Sequence, residues 1–145
     1  MNIYMTNDNP KLVGRDVPEG VWERRLYDAV ELVSEGAAHW EAEDSMFICH
    51  DTGHAWVNWV KKSRENWVWT IGYLRSLVRE LGKRGHPVVD EIVSFSDFVS
   101  MEYGGKAKQI TLPPRCLPKE FKSKEHTIAG AIESYQNYVD HRFNG

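Results

Sequence analysis

The stretch from His50 to His86, HDTGHAWVNWVKKSRENWVWTIGYLRSLVRELGKRGH, constrains this chain more than any other. It holds four of the six tryptophans (Trp56, Trp59, Trp67 and Trp69) and seven of the eighteen Lys/Arg residues. Apolar residues recur at 56, 59/60, 67, 71, 74, 77/78 and 81, which is the spacing of a helix. Lys61, Lys62, Arg64, Arg75, Arg79, Lys83 and Arg84 fill the positions between. The pattern predicts a helical spine with one aromatic face and one basic face. Ser63 or Asn66 can cap the long helix that continues to Leu81, and Gly82, Gly85 and Pro87 end it.

The flanking sequence is also mostly helical in pattern. Asp16 and Pro18 open a helix carried by Val21/Trp22, Leu26, Ala29/Val30 and Val33, with Gly36 as its stop. Its exposed face is expected to show Glu23, Arg24, Arg25, Asp28 and Glu31. Residues 37–44 are a connection or a helix extension, and 88–103 read equally as a helix capped at Ser96 or Asp97 or as a strand. Asn2 to Thr6 is a short extended segment, followed by a turn at Asn7 to Pro10. Gly104 to Lys108 is a basic turn, and Pro113 to Pro118 a proline-stiffened loop. Thr127 caps a last helix with Ile128, Ala131/Ile132, Tyr135 and Tyr138/Val139 on its apolar face. The expected fold is mainly α: a single compact helical domain over 1–145 with long loops. A chain of 145 residues can bury a sizeable core. It has no apolar run of membrane-spanning length, and MNIYMTNDNP lacks a signal-peptide pattern. Two cysteines, Cys49 and Cys116, fit reduced thiols in a cytoplasmic protein.

The net charge of −3 is unevenly spread. Residues 1–54 carry four basic and eleven acidic side chains, whereas 55–86 carry seven basic and two acidic. Residues 103–126 carry six basic and two acidic. Two basic blocks on an acidic protein are either ordinary solvated faces or one patch that takes an anion or nucleic acid.

Few residues carry a recognisable chemistry. His50 and His54 are four apart, but the Asp51-Thr52-Gly53 turn opposes the helix that would aim them at one metal, and no zinc motif is present. No phosphate loop, nucleophile elbow or dinucleotide fingerprint occurs, so neither metal nor cofactor is expected. A helix beginning at Ser63 or Asn66 offers free amides beside Lys61, Lys62 and Arg64, where a phosphate would be held. Trp67 or Trp69 can then stack on a base, or both can be core. Glu23, beside Arg24 and Arg25, is either a general base in an anionic site or part of a charged helix face. Lys119, Lys122 and Lys124 close over a phosphate or are solvated.

Two resemblances add to this. Asn2-Ile3-Tyr4, Arg24, His54 with Trp59-Val60, Ser63-Arg64-Glu65-Asn66-Trp67-Val68-Trp69, His86, Leu117-Pro118-Lys119-Glu120-Phe121-Lys122 and Tyr135-x-x-Tyr138 follow one another in an informative order. In that order they resemble a family of small tailed-phage proteins. The chain departs from that family with Ala55 in place of Pro and Trp67 in place of Tyr. More distantly, Gly53-His54, Lys83-Arg84-Gly85 and Leu117 to Phe121 resemble the phage pyrimidine-dimer DNA glycosylases of the endonuclease V type. That resemblance implies an α fold that bends DNA and flips a base. It also implies an N-terminal amine nucleophile and a glutamate between arginines in the first helix, matched here by Glu23 with Arg24 and Arg25. Asn2 is too large for efficient Met removal, which leaves Met1 to supply any such amine.

The expectation is a DNA- or nucleotide-binding protein acting on a base. Arg24, Arg25, His54, Lys61, Lys62, Ser63, Arg64, Asn66, His86 and Lys122 would bind phosphate, Trp67 would stack, and Glu23 would be catalytic. The alternative is a non-catalytic phage factor that inhibits a host defence protein or sequesters a nucleotide signal.

Overall fold

A computed structural model of the chain describes residues 1–41, 51–106 and 108–144. The described residues form six α-helices and no strand. These are α1 (Pro10–Arg15), α2 (Trp22–Trp40), α3 (Ala55–Lys62), α4 (Arg64–Lys83), α5 (Asp90–Tyr103) and α6 (Ile128–Val139). Short 3₁₀ turns at Glu19–Val21 and Lys119–Phe121 and a π-helical turn at Asp140–Asn144 complete the pattern. The segment 88–103, open between helix and strand in the sequence, is helical, and Ser96 lies buried inside it rather than capping it.

The spine is two helices rather than one. Ser63 takes an extended conformation (φ −146°, ψ 149°), ending α3 and starting α4. Its hydroxyl accepts from the Asn66 amide at 3.1 Å, satisfying one of the free donors of α4. α4 then runs through the middle of the molecule, touching α1, α2, α3 and α5. Gly85, at φ +81°, closes its C-terminal end in a conformation that favours glycine.

The four spine tryptophans are core, each no more than 3% exposed. A buried indole must place its N–H, and each of these reaches a different part of the chain. Trp56 donates to the Asn2 side chain (2.8 Å), Trp69 to the Asp8 carbonyl (2.8 Å), Trp59 to the Thr111 carbonyl (3.1 Å) and Trp67 to the Val33 carbonyl (3.0 Å). The aromatic face therefore ties the N-terminal segment, the loop around Thr111 and α2 to the spine.

Gly36 does not stop α2, which continues to Trp40. It lies under Trp67, and a β-carbon there would overlap the indole ring. Glycine is present for close packing and not for a left-handed turn. Residues 1–6 form neither helix nor strand and lie against α2, with Ile3 and Met5 fully buried; tight backbone bonds from Met5 to Ile3 (3.0 Å) and Thr6 to Tyr4 (2.8 Å) replace the extended run expected for Asn2 to Thr6. No helix among the described residues is long and apolar enough to cross a membrane.

Candidate functional site

The residues singled out in the sequence do not converge on one ligand. Asn66 is fully buried; its amide nitrogen donates to the Trp59 carbonyl (2.8 Å) and Thr111 Oγ1 (2.7 Å), and its oxygen accepts from the Thr111 amide (2.9 Å). It is a brace between α4 and the loop, not an anion ligand. Trp67 is fully buried and cannot stack on a base, although Arg64 lies over its ring at 5.7 Å. Ser63 and His54 act as caps: His54 Nδ1 accepts from the Trp56 amide at 3.1 Å. Lys61 is paired with Glu35 at 3.1 Å and Arg64 with Glu41, so both charges are already met. His86 stacks on Trp22 (4.4 Å) beside Glu19. A helix of 20 residues spans about 30 Å, so Arg64 at the start of α4 and His86 beyond its end cannot share a small ligand. Glu23, Arg24 and Lys62 are exposed, with Glu23 in the first turn of α2, where its charge suits the helix dipole. His50 lies outside the described residues.

Arg25 and Asp28, expected on the exposed face, are instead buried (5% and 9% exposed) and paired at 3.0 Å. The N-terminal segment covers them. The backbone nitrogen of Asn2 donates to Asp28 Oδ2 at 3.0 Å, and the Arg25 guanidinium sits 4.8 Å from the centre of the Tyr4 ring. The Asn2 side chain is held on three sides. It donates to the Cys116 carbonyl (2.8 Å) and accepts from Trp56, while the Tyr135 hydroxyl, 3.2 Å away, donates to the Pro114 carbonyl at 2.8 Å. Residue 2 is thereby fixed against a carboxylate by helices α2, α3 and α6 and the proline-rich loop.

Burial governs the protonation of the groups around it. It raises the Tyr73, Tyr135 and Tyr4 hydroxyls above the ordinary tyrosine range, with Arg25 opposing the shift at Tyr4 and Tyr73. It also raises the Cys116 thiol, against the pull of the N-terminal ammonium and Lys122, which places both cations near that sulfur. The Arg25 Nε and the Tyr73 hydroxyl are buried without a hydrogen-bond partner among the described residues.

A second feature is a cleft of about 1040 Å³ between α1, α4 and residues 104–106 and 108–110. Lys11 and Arg15 come from α1, Arg75, Arg79 and Lys83 from α4, and Lys106 and Lys108 from the loop. The two basic blocks of the sequence do meet. They meet over a cleft whose single ring, Trp69, is 2% exposed, so the groove is not lined with accessible aromatics.

The centre at Asp28 was missed because Arg25 and Asp28 look like any intrahelical pair. The available signal was their position, next to Leu26, Ala29 and Val30 on the flank of the apolar stripe. Comparison with family models, curated proteins and solved structures finds no match.

Proposed function

We propose that this chain is a DNA-handling protein on a helical scaffold like that of the pyrimidine-dimer glycosylases, with its reaction centre where residue 2 meets Asp28. The observation that carries the reading is the 3.0 Å contact between the backbone amide of residue 2 and the Asp28 carboxylate, which is paired with Arg25 and puts the start of the chain beside a buried carboxylate. The resemblance asks for an amine at the chain start beside a carboxylate between arginines. Asp28, paired with the single arginine Arg25, is the carboxylate nearest the start of the chain in this reading, in place of Glu23, which is exposed.

In this reading the amine of Met1, or of Asn2 once Met1 is removed, attacks C1′ of a damaged nucleotide's sugar. The base departs with the bonding electron pair and takes the first proton the amine sheds, relayed by Asp28; the C1′–O4′ bond then breaks, O4′ takes the second proton, and a Schiff base remains. Asp28 accepts the proton the amine sheds, and Arg25 balances the carboxylate's charge. Arg24 and Lys122 supply phosphate contacts at the rim.

Borohydride trapping on duplexes carrying damaged bases or abasic sites tests this, using the chain as it stands and with Met1 removed. A covalent adduct is expected, with Asp28→Asn losing base release but still trapping on a pre-formed abasic site. No adduct and no nicking with either chain, together with no DNA binding at about 50 mM salt, would sink the reading.

One observation favours the alternative of a factor that inhibits a host protein. α5 turns Phe98 (44% exposed) and Met101 (77% exposed) to solvent, an apolar face of the kind that docks on a partner. Its test is recovery of a stoichiometric host protein that is lost in Met101→Glu.

A further inference from the structure

The cleft between α1, α4 and residues 104–106 and 108–110 is separate from the Asp28 centre and does different chemistry. We propose that it is a binding site for a compact oligophosphate, such as the phosphate chain of a nucleoside triphosphate. The inference does not rest on the reaction assigned above.

The charge balance of the cleft comes first. Seven cations from three walls face two carboxylates, Asp8 and Glu80, and Glu80 is already held by Arg84 at 3.1 Å. None of the seven is in an ion pair among the described residues. Basic residues elsewhere on the spine are treated differently: Lys61, Arg64 and Arg84 are each matched to a glutamate. A protein that pairs three of its four spine cations outside the cleft, all but the exposed Lys62, and leaves those inside it unpaired leaves room for an external anion.

The arrangement also works against the helix that carries it. Arg75, Arg79 and Lys83 are successive four-residue neighbours on α4, and like charges at that spacing repel. An anion seated between them turns the repulsion into attraction. The Arg75 Nε is buried and has no hydrogen-bond partner among the described residues. It is a donor that the protein leaves unused, on the wall where phosphate oxygens would lie.

The shape and lining select the kind of anion. At about 1040 Å³ the cleft has the size of a small-molecule site. It offers no ring for a base to stack on, because Trp69 is 2% exposed and its indole edge is held by the Asp8 carbonyl. Recognition therefore falls on closely spaced phosphates and not on a base or a base sequence.

Equilibrium dialysis of the full chain against inorganic tripolyphosphate, a nucleoside triphosphate and a single-stranded thymidine oligonucleotide tests the assignment. Tripolyphosphate and the nucleoside triphosphate are expected to bind with similar affinity, and more weakly as salt rises. The double variant Arg79→Gln, Lys83→Gln should weaken both at least about tenfold, since each loses charge-assisted bonds. Lys62→Gln with Lys119→Gln, exposed and outside the cleft, should leave binding unchanged, with circular dichroism verifying that both variants fold. No binding of tripolyphosphate at about 1 mM would overturn the proposal. So would equal losses in the two variants, or binding of the oligonucleotide alone, which would make the cleft a strand channel. Failure of borohydride trapping has no bearing on these outcomes.

Discussion

A β-carbon on Gly36 would fall within the indole of Trp67. Gly36→Ala should therefore cost at least about 3 kcal/mol, read as a lower denaturant midpoint, although alanine is the better helix former. The tyrosines give a second prediction. Burial raises the Tyr73 and Tyr135 hydroxyls above their unfolded value of about 10, so their full contribution to stability is present below that pH. Above it the unfolded chain releases protons that the folded chain retains. Stability should then fall by about 1.4 kcal/mol per pH unit for each tyrosine. Denaturant titrations above about pH 10 should show that slope, and Tyr73→Phe should reduce it by one proton's worth. At this scale the sequence was only half legible. Helical spacing identified Trp56, Trp59 and Trp67 as one apolar set. It could not say that Asp28 is buried, because the cover comes from residues 1–6, far away in the chain.

α4 carries a ladder of like charges at Arg75, Arg79 and Lys83 along its cleft face. Arg79→Gln should raise stability by a few tenths of a kcal/mol at low salt, and the gain should vanish as salt is added. Thermal melts at two ionic strengths check this, and a loss of stability at low salt would remove the ladder from the account. The break before α4 has its own test. Ser63→Ala should cost about 1 kcal/mol by freeing the Asn66 amide. The break was legible as a cap and not as a break, since α3 and α4 share one periodic pattern across it. The state of 88–103 was undetermined because Ile92, Val93 and Phe95 suit a strand as well as a helix. Packing of α5 against α4 decides it.

Across the whole molecule, the N-terminal segment links the two features. It begins at the Asp28 pocket and ends at Asp8, on the rim of the basic cleft. Tryptophan N–H bonds pin it at both ends, at Asn2 and at Asp8. The charge counts left open whether the two basic blocks are solvated faces or one patch, and the fold brings them together, whereas the tryptophans that could have lined the groove are used for the core instead. The segment's rigidity is what the proposed reaction requires, since a nucleophile held in place reacts faster than a mobile one. The most direct measurement is peptide mapping of the borohydride-reduced adduct by mass spectrometry. The account predicts the sugar remnant on the tryptic peptide ending at Lys11, carried by its terminal amine. A remnant on a cleft lysine such as Lys83 or Lys106, or on no peptide at all, would contradict it.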